Sequence, residues 1–282
     1  MTGANAPTTR VGFVGLGSQG APMARRIAEE GFPLTLWARR RTSTDAFADT
    51  AATVAGTPAD LGAASDLVCL CVVADADVED VLLRPDGVLT GMAPGGVVAI
   101  HSTVHPDTCR RVADEAAERD IAVVDAPVSG GGGAAAQRRL LLMAGGRETD
   151  VARCRPVFDA FADPVIHLGP LGSGQLAKLL NNFVFTAQVG LALDTYALAD
   201  GLGIDRTAVA QVLAHGTGGS RAAAILAASG FNTEGLRQAL PLLHKDVGLL
   251  LDVADTARAA RPHALADLTT HTLAMLARRP AP

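Results

Sequence analysis

Between Asp163 and Asp194 the chain carries a single formally charged side chain, Lys178, in the run Gly169 to Phe185 (Gly-Pro-Leu-Gly-Ser-Gly-Gln-Leu-Ala-Lys-Leu-Leu-Asn-Asn-Phe-Val-Phe). Removing an ammonium from water is costly, and burial lowers its pKa towards the range a proton-transferring group needs. Asn182 follows at i+4, so on a helix it shares a face with Lys178. The alternative is a lysine whose stem lies along apolar surface while its head reaches solvent.

A second set of residues could hold a phosphate. Val11–Val14 reads as a buried strand that runs into Gly15-Leu16-Gly17-Ser18-Gln19-Gly20, a helical stretch Ala21–Glu30, and a second apolar strand ending at Trp37. This is a βαβ unit with GxGxxG at its first turn. The first glycine makes the turn, the second lets backbone approach a pyrophosphate, and the third permits close helix–strand packing. The helix N-terminus faces the anion. After the second strand come Arg39-Arg40-Arg41-Thr42, with no carboxylate before Asp45. An acid there would bond the ribose 2′-OH of NAD, whereas guanidinium groups suit the 2′-phosphate of NADP, so NADP(H) is expected. A solvated basic turn is the competing reading.

Other chemistries find less support. Cys69 and Cys71 would share a strand face roughly 6.6 Å apart with parallel side chains, a poor disulfide geometry. No Cys-x-x-Cys occurs, so a reduced, cytoplasmic chain is expected. His101 and His105 flank a turn, no cluster has metal-ligand spacing, and no metal is expected. Ser129 has Pro127 where a nucleophile elbow needs glycine, which argues against a serine hydrolase.

The elements that must position these groups alternate. Strands are expected at Leu67–Val73, Val97–Ile100, Ile121–Val124, Leu140–Ala144 and Val165–Leu168. Helices separate them, notably Val78–Leu83, Asp107–Glu118 and Val151–Phe161. From Gln175 onward no strand is expected, and helical runs are broken at Gly201–Asp205, Gly216–Ser220 and Arg261-Pro262. The pattern is a Rossmann-type doubly wound α/β sheet (11–173) followed by an all-α domain (174–282), with a flexible polar tail from Met1 to Arg10 that has no signal-peptide core. Open α/β sheets bind ligands beyond the carboxyl ends of their strands, where Ser102-Thr103 and Ser129-Gly130-Gly131 fall. The start of the Lys178 helix could reach the same crevice, with the cleft between the domains as the site. A length of 282 residues suits one large or two medium domains, and 49% hydrophobic residues suffice for a core. The net charge of −5 disfavours nucleic acid. The uncharged run Leu179–Leu193 is too short to span a membrane, and its apolar character suggests a homodimer interface.

Four motifs together resemble the β-hydroxyacid dehydrogenase family, which includes 3-hydroxyisobutyrate dehydrogenase. They are Gly-Phe-Val-Gly-Leu-Gly-Ser-Gln-Gly-Ala-Pro-Met-Ala from Gly12, Asp-Ala-Pro-Val-Ser-Gly-Gly from Asp125, Gly-Ser-Gly-Gln-Leu-Ala-Lys-Leu-Leu-Asn-Asn from Gly172, and Lys-Asp-Val-Gly-Leu-Leu-Leu-Asp from Lys245. The similarity runs from Val11 to Leu276. It implies Lys178 as the catalytic acid/base, Asn182 as a substrate ligand, and Ser129-Gly130-Gly131 as holder of a substrate carboxylate. It also implies Thr103, Lys245 and Phe231 near the nicotinamide and Val72-Val73 along the adenosine side. Gln19 replaces a frequent methionine. Arg138-Arg139 replaces Gly-Thr and either favours anionic substrates or decorates the surface, the latter being preferred. Leu236 stands near a frequent aromatic. Imine reductases share the glycine motif but commonly replace the lysine, so retention of Lys178 favours an alcohol/carbonyl couple. A non-catalytic NADP-binding module is the reading from a different class.

Overall fold

The strand that opens the chain, β1 (Val11–Val14), is buried on both sides and lies at the centre of a parallel sheet. The computed structural model describes residues 8–259 and 263–278. Most of the expected tail, and the Arg261-Pro262 break, fall outside them. After β1 come α1 (Gly20–Glu29), β2 (Leu34–Trp37), β3 (Thr53–Val54), α2 (Pro58–Ala63), β4 (Leu67–Leu70), α3 (Asp75–Leu83), α4 (Val88–Gly91), β5 (Val97–Ile100), α5 (Pro106–Ala117) and β6 (Ala122–Asp125). The strands order β3-β2-β1-β4-β5-β6, all parallel. The chain therefore winds outward from β1 in one direction and from β4 in the other, and the crevice between their carboxyl ends is the switch point.

The inner strands β1, β4 and β5 are continuous apolar runs because both faces are covered. Val11, Phe13, Leu67, Cys69, Val97 and Ala99 point into one core with Met23 and Ile27 of α1. Val14, Val68, Leu70, Val98 and Ile100 point into the other with Val78 of α3 and Val112 of α5. Cys69 and Cys71 do share a face, and all four cysteines are free thiols.

The expected strands Leu140–Ala144 and Val165–Leu168 exist but do not extend this sheet. They form a second sheet, β7-β8-β9, from β7 (Val128–Ser129), β8 (Leu140–Ala144) and β9 (Ala162–His167), with α6 (Gly131–Ala136) and α7 (Glu148–Phe158) between. Here β7 runs antiparallel to β8, and β8 parallel to β9. The reason lies at Asp125-Ala126-Pro127. Pro127 has no N–H for a ladder, so pairing stops and the chain turns. A lone bridge, Asp125 to Gly145, links the end of β6 to the end of β8.

Contacts divide the chain into two units, one ending at Lys178 and the other beginning at Leu179. The division falls inside α8 (Ser173–Gly201), later than the expected boundary at 173/174. The second unit continues with α9 (Arg206–His215), α10 (Arg221–Ala228), α11 (Glu234–Thr256) and α12 (His263–Ala277). Asp205 and Ser220 cap α9 and α10 by accepting the N–H of Ala208 and Ala223. Leu179, Phe183, Val189, Leu243, Val247 and Leu273 form the unit's main core. With 29 residues, α8 is longer than the uncharged run suggested. By length and composition alone it could cross a membrane, although 44% of its most apolar window is buried inside the protein.

Candidate functional site

The glycine turn after β1 is built as its chemistry requires. Gly15 has φ +94°, and a Cβ there would lie 2.1 Å from the Cys71 carbonyl oxygen. A Cβ at Gly20 would lie 1.9 Å from the Gly15 oxygen. These two glycines are demanded by the fold itself. Gly17 is different: a Cβ there would meet nothing within 4 Å. Its bare backbone fronts open space just before α1, where a pyrophosphate would approach the free N–H groups. The turn thus leaves room for a dinucleotide at Gly17, where the fold itself makes no demand for glycine. Leu16 is half-buried against the first core, Ser18 is exposed, and Gln19 reaches the Met23 sulfur at 3.7 Å.

A cleft of about 370 Å³ adjoins this turn, walled by Gly15, Leu16 and Gly17, by Trp37 to Arg40, and by Cys71, Val72 and Val73. Arg39 and Arg40 line it as expected, whereas Ser43, not Thr42, supplies the hydroxyl at its wall. Thr42 is exposed in the 3-10 turn that follows. Asp77 of α3 also lines the cleft and accepts a 2.7 Å hydrogen bond from Arg39 Nη2.

The carboxyl ends of β4, β5 and β6 are tied together by buried polar groups. Ser102 Oγ accepts the N–H of Val72 at 2.8 Å. The side chain of Gln175, fully buried, accepts the Val104 N–H at 3.1 Å and donates to the Ser102 carbonyl at 2.8 Å. Asp125 accepts the N–H groups of Gly172 and Gln175, each at 2.7 Å. Burial raises the Asp125 pKa, while the backbone N–H groups that bond its carboxylate pull the other way. These bonds staple the first turn of α8 onto the strand ends. Lys178 lies one turn further on and is only 9% exposed. Thr103 is half-buried in the same β5–α5 loop.

The Ser129 segment begins at the last residue of β7. Gly130 and Gly131 take φ of +134° and +76°, a path that L side chains resist. The segment then enters α6, which packs so closely on the first glycine turn that a Cβ at Gly132 would lie 2.4 Å from the Ser18 oxygen. The candidate substrate loop and the candidate phosphate turn are therefore neighbours. Arg138 turns away from this region to pair with Glu30 at 2.9 Å, and Arg139 bonds Gln137, in agreement with the surface reading.

His101 belongs to the core and not to the site. Its Nδ1 lies 2.7 Å from the Ala126 carbonyl oxygen, and its ring sits among Phe13, Phe158 and Phe161. Burial lowers its pKa to about 4.

In the second unit, Asn182 donates from Nδ2 to Asp246 Oδ2 at 2.6 Å, and Lys245 Nζ lies 3.3 Å from the other Asp246 oxygen. Asp246 is 5% exposed and thus connects two of the expected site residues. Phe231 is not drawn to this group. Its ring packs edge-on against Tyr196 at 4.9 Å, with the Arg206 guanidinium 5.8 Å from its centre. Among the described residues no cluster of three or more His, Cys, Asp or Glu could hold a metal.

Comparison with known proteins gives the family. The family model for the NAD-binding domain of 6-phosphogluconate dehydrogenase matches residues 10–169. That for the NAD-binding domain of NADP-dependent 3-hydroxyisobutyrate dehydrogenase matches residues 172–279. The chain belongs to the 3-hydroxyisobutyrate dehydrogenase family. It is an oxidoreductase of the class acting on CH–OH groups, with an NAD(P)-binding domain. The NAD-dependent L-serine dehydrogenase of Pseudomonas aeruginosa is 30% identical over 75% of this chain and 71% of its own. The 3-hydroxyisobutyrate dehydrogenase of the same organism is 29% identical over 90% and 88%. Among solved structures, the 3-hydroxyisobutyrate dehydrogenase of Mycobacterium tuberculosis with L-serine superposes with a TM-score of 0.82, at 27% identity over 96% of this chain and 93% of that one.

Three residues of this family member escaped the reading of its sequence as functional. Asp246 stood in a quoted motif, next to Lys245, but only its bond to Asn182 reveals a role. Asp125 and Gln175 likewise stood in motifs, yet their partners lie 47 to 73 residues away in sequence.

Proposed function

We propose that this dehydrogenase interconverts a small β-hydroxy acid, or a related 2- or 3-hydroxy acid, with its semialdehyde or keto form, and prefers NADP(H). The observation that carries the reading is Lys178, almost enclosed and one turn beyond a helix start stapled to the strand ends by Asp125 and Gln175. The cofactor, when bound, supplies or accepts the hydride. Gly15 to Gly20 would hold its pyrophosphate, with Val72 and Val73 beside the adenosine and Arg39 and Arg40 near a 2′-phosphate.

In reduction Lys178 gives a proton to the carbonyl oxygen. In oxidation it takes the proton from the hydroxyl. Such help is typically worth about 10²–10⁴-fold. The Ser129 hydroxyl and the N–H groups of Gly130 and Gly131 carry the substrate carboxylate. Asn182, its amide fixed by Asp246, orients the substrate, and Thr103 and Lys245 serve the nicotinamide end. Holding the reactants in one geometry removes much of the entropic cost of their meeting.

The exposed leucines at 180, 191, 198 and 202 leave an apolar strip along and just beyond α8, which supports self-association as a homodimer or larger assembly. The test of the reaction is Lys178→Ala, assayed over small 2- and 3-hydroxy acids with NADP⁺ and NAD⁺. Turnover is expected to fall at least about 100-fold while NADPH affinity stays within about twofold. Turnover that survives the substitution would remove Lys178 from the reaction. Reduction of a cyclic imine, with every hydroxy acid inert, would replace the substrate class.

A further inference from the structure

The cleft beside the glycine turn contains an opposition of charge that bears on cofactor choice. Arg39 projects from the end of β2, at the position where a 2′-phosphate would be read. Its Nη2 lies 2.7 Å from Asp77 Oδ1 and 4.0 Å from Asp80 Oδ2. Asp80 is shared, since Arg84 lies 4.0 Å from the same oxygen. Asp77 is the dedicated partner, and it is held in place. Its second oxygen accepts the Ala74 N–H at 3.2 Å, part of the cap on the first turn of α3. The Asp77 side chain is 26% exposed, against 67% for Arg39. A mobile guanidinium is thus moored to a carboxylate that the backbone already orients. Arg40 lines the same cleft, and no ion pair or side-chain hydrogen bond engages it among the described contacts.

We propose that Asp77 is a specificity-determining residue that acts through Arg39, holding the guanidinium against α3 and so limiting how strongly the chain prefers NADP(H) over NAD(H). The inference rests on the dinucleotide reading of this cleft given above. A 2′-phosphate must share Arg39 with Asp77 or draw it away. A ribose with a free 2′-OH faces no such competition, and a carboxylate at this edge is a suitable acceptor for that hydroxyl. One arginine free and one moored makes a cleft of modest discrimination, in which Arg40 carries most of the recognition of the phosphate.

The experiment measures dissociation constants of NADPH and NADH by fluorescence titration for the wild type, Asp77→Asn, Arg39→Gln and the double variant. Asn at 77 keeps an oxygen for the Ala74 N–H, so the helix cap survives. Asp77→Asn is expected to tighten NADPH about 5–10-fold, as release of one guanidinium to a phosphate in partly exposed surroundings implies, with NADH changed less than about twofold. In the Arg39→Gln background the same substitution should tighten NADPH by less than about twofold, since its route has been removed. The inference is overturned if the ratio of the two constants does not move, if both cofactors weaken together, or if the full gain persists without Arg39. A wild type that binds neither dinucleotide overturns the cofactor reading and this inference with it. A wild type that binds both, with an unmoved ratio, overturns the inference alone.

Discussion

The buried imidazole of His101 makes the first unit sensitive to mild acid, by an amount that follows from its surroundings. Ala126 O can only accept, so Nδ1 carries the proton and donates to it at 2.7 Å, leaving Nε2 bare. Nε2 is buried without a hydrogen-bond partner, facing a cage in which Phe158 and Phe161 stand edge-on at 5.5 and 5.6 Å. A second proton would place a cation there with no acceptor, which is why burial lowers the pKa from 6.5 to about 4. The unfolded chain therefore takes up the proton first as pH falls. Stability associated with His101 is fully present above pH 6.5 and is lost progressively as pH drops through about 4. At roughly 1.4 kcal/mol per unit, the whole loss is about 3 kcal/mol, of which about 2 kcal/mol is gone by about pH 5. Other carboxylates titrate too, so the informative quantity is a difference between proteins. His101→Asn keeps an N–H for Ala126 but has no proton to gain. Urea unfolding at about pH 7.5 and pH 5 should show a lower stability for the variant at the higher pH, from the cavity beside the phenylalanines. Its further loss on acidification should be smaller than the wild type's by about 2 kcal/mol. Equal losses in the two proteins would refute the argument.

The glycine turn separates folding from binding. Gly20→Ala should destabilise the chain by several kcal/mol, of the order of about 2–4, because its Cβ meets a backbone oxygen that cannot move freely. Gly17→Val should instead keep its thermal midpoint within about 2 °C and lose at least about tenfold in NADPH affinity, measured on the same samples. Gln175→Leu leaves the Val104 N–H and the Ser102 carbonyl unpaired, at a cost of about 2–5 kcal/mol in chemical denaturation. It should also lower turnover in any hydroxy acid that the wild type oxidises. Leu198→Lys with Leu202→Lys should reduce the mass seen by light scattering to that of one chain, and a wild type that is already monomeric would contradict self-association.

Legibility in the sequence followed the range of the interactions. Strands buried on both faces announced themselves as apolar runs, and β5 and β8 begin and end where expected. The glycine spacing was equally plain, since a turn, an approach and a helix contact are all local. The separate second sheet was less visible, because Pro127 ends the ladder without changing the apolar pattern on either side. The polar staples were not visible at all. Gln175 reaches residues 71 and 73 positions earlier, Asp125 binds N–H groups 47 and 50 positions later, and Arg39 finds Asp77 38 positions on. No spacing rule connects such pairs until the sheet brings them together. Phe231 shows the opposite case: a residue singled out by family likeness whose ring is taken up by packing against Tyr196.

The thiols carry a consequence for the chemistry this molecule can endure. Cys71 lines the cleft beside the glycine turn, where a nucleophilic sulfur would meet any electrophile that enters. Burial pushes the Cys71 thiol up to about 12 and Cys154 likewise, and raises Cys69 and Cys109 well above the usual thiol range. The thiolate is the reactive form, so near neutral pH all four sulfurs are almost wholly in the inert one. Iodoacetamide and dilute peroxide should leave the native catalyst active, and only unfolding should open the sulfurs to labelling. The same apolar packing that builds the sheet thus keeps a sulfur at the edge of the cleft as a hydrocarbon-like wall and not as a nucleophile.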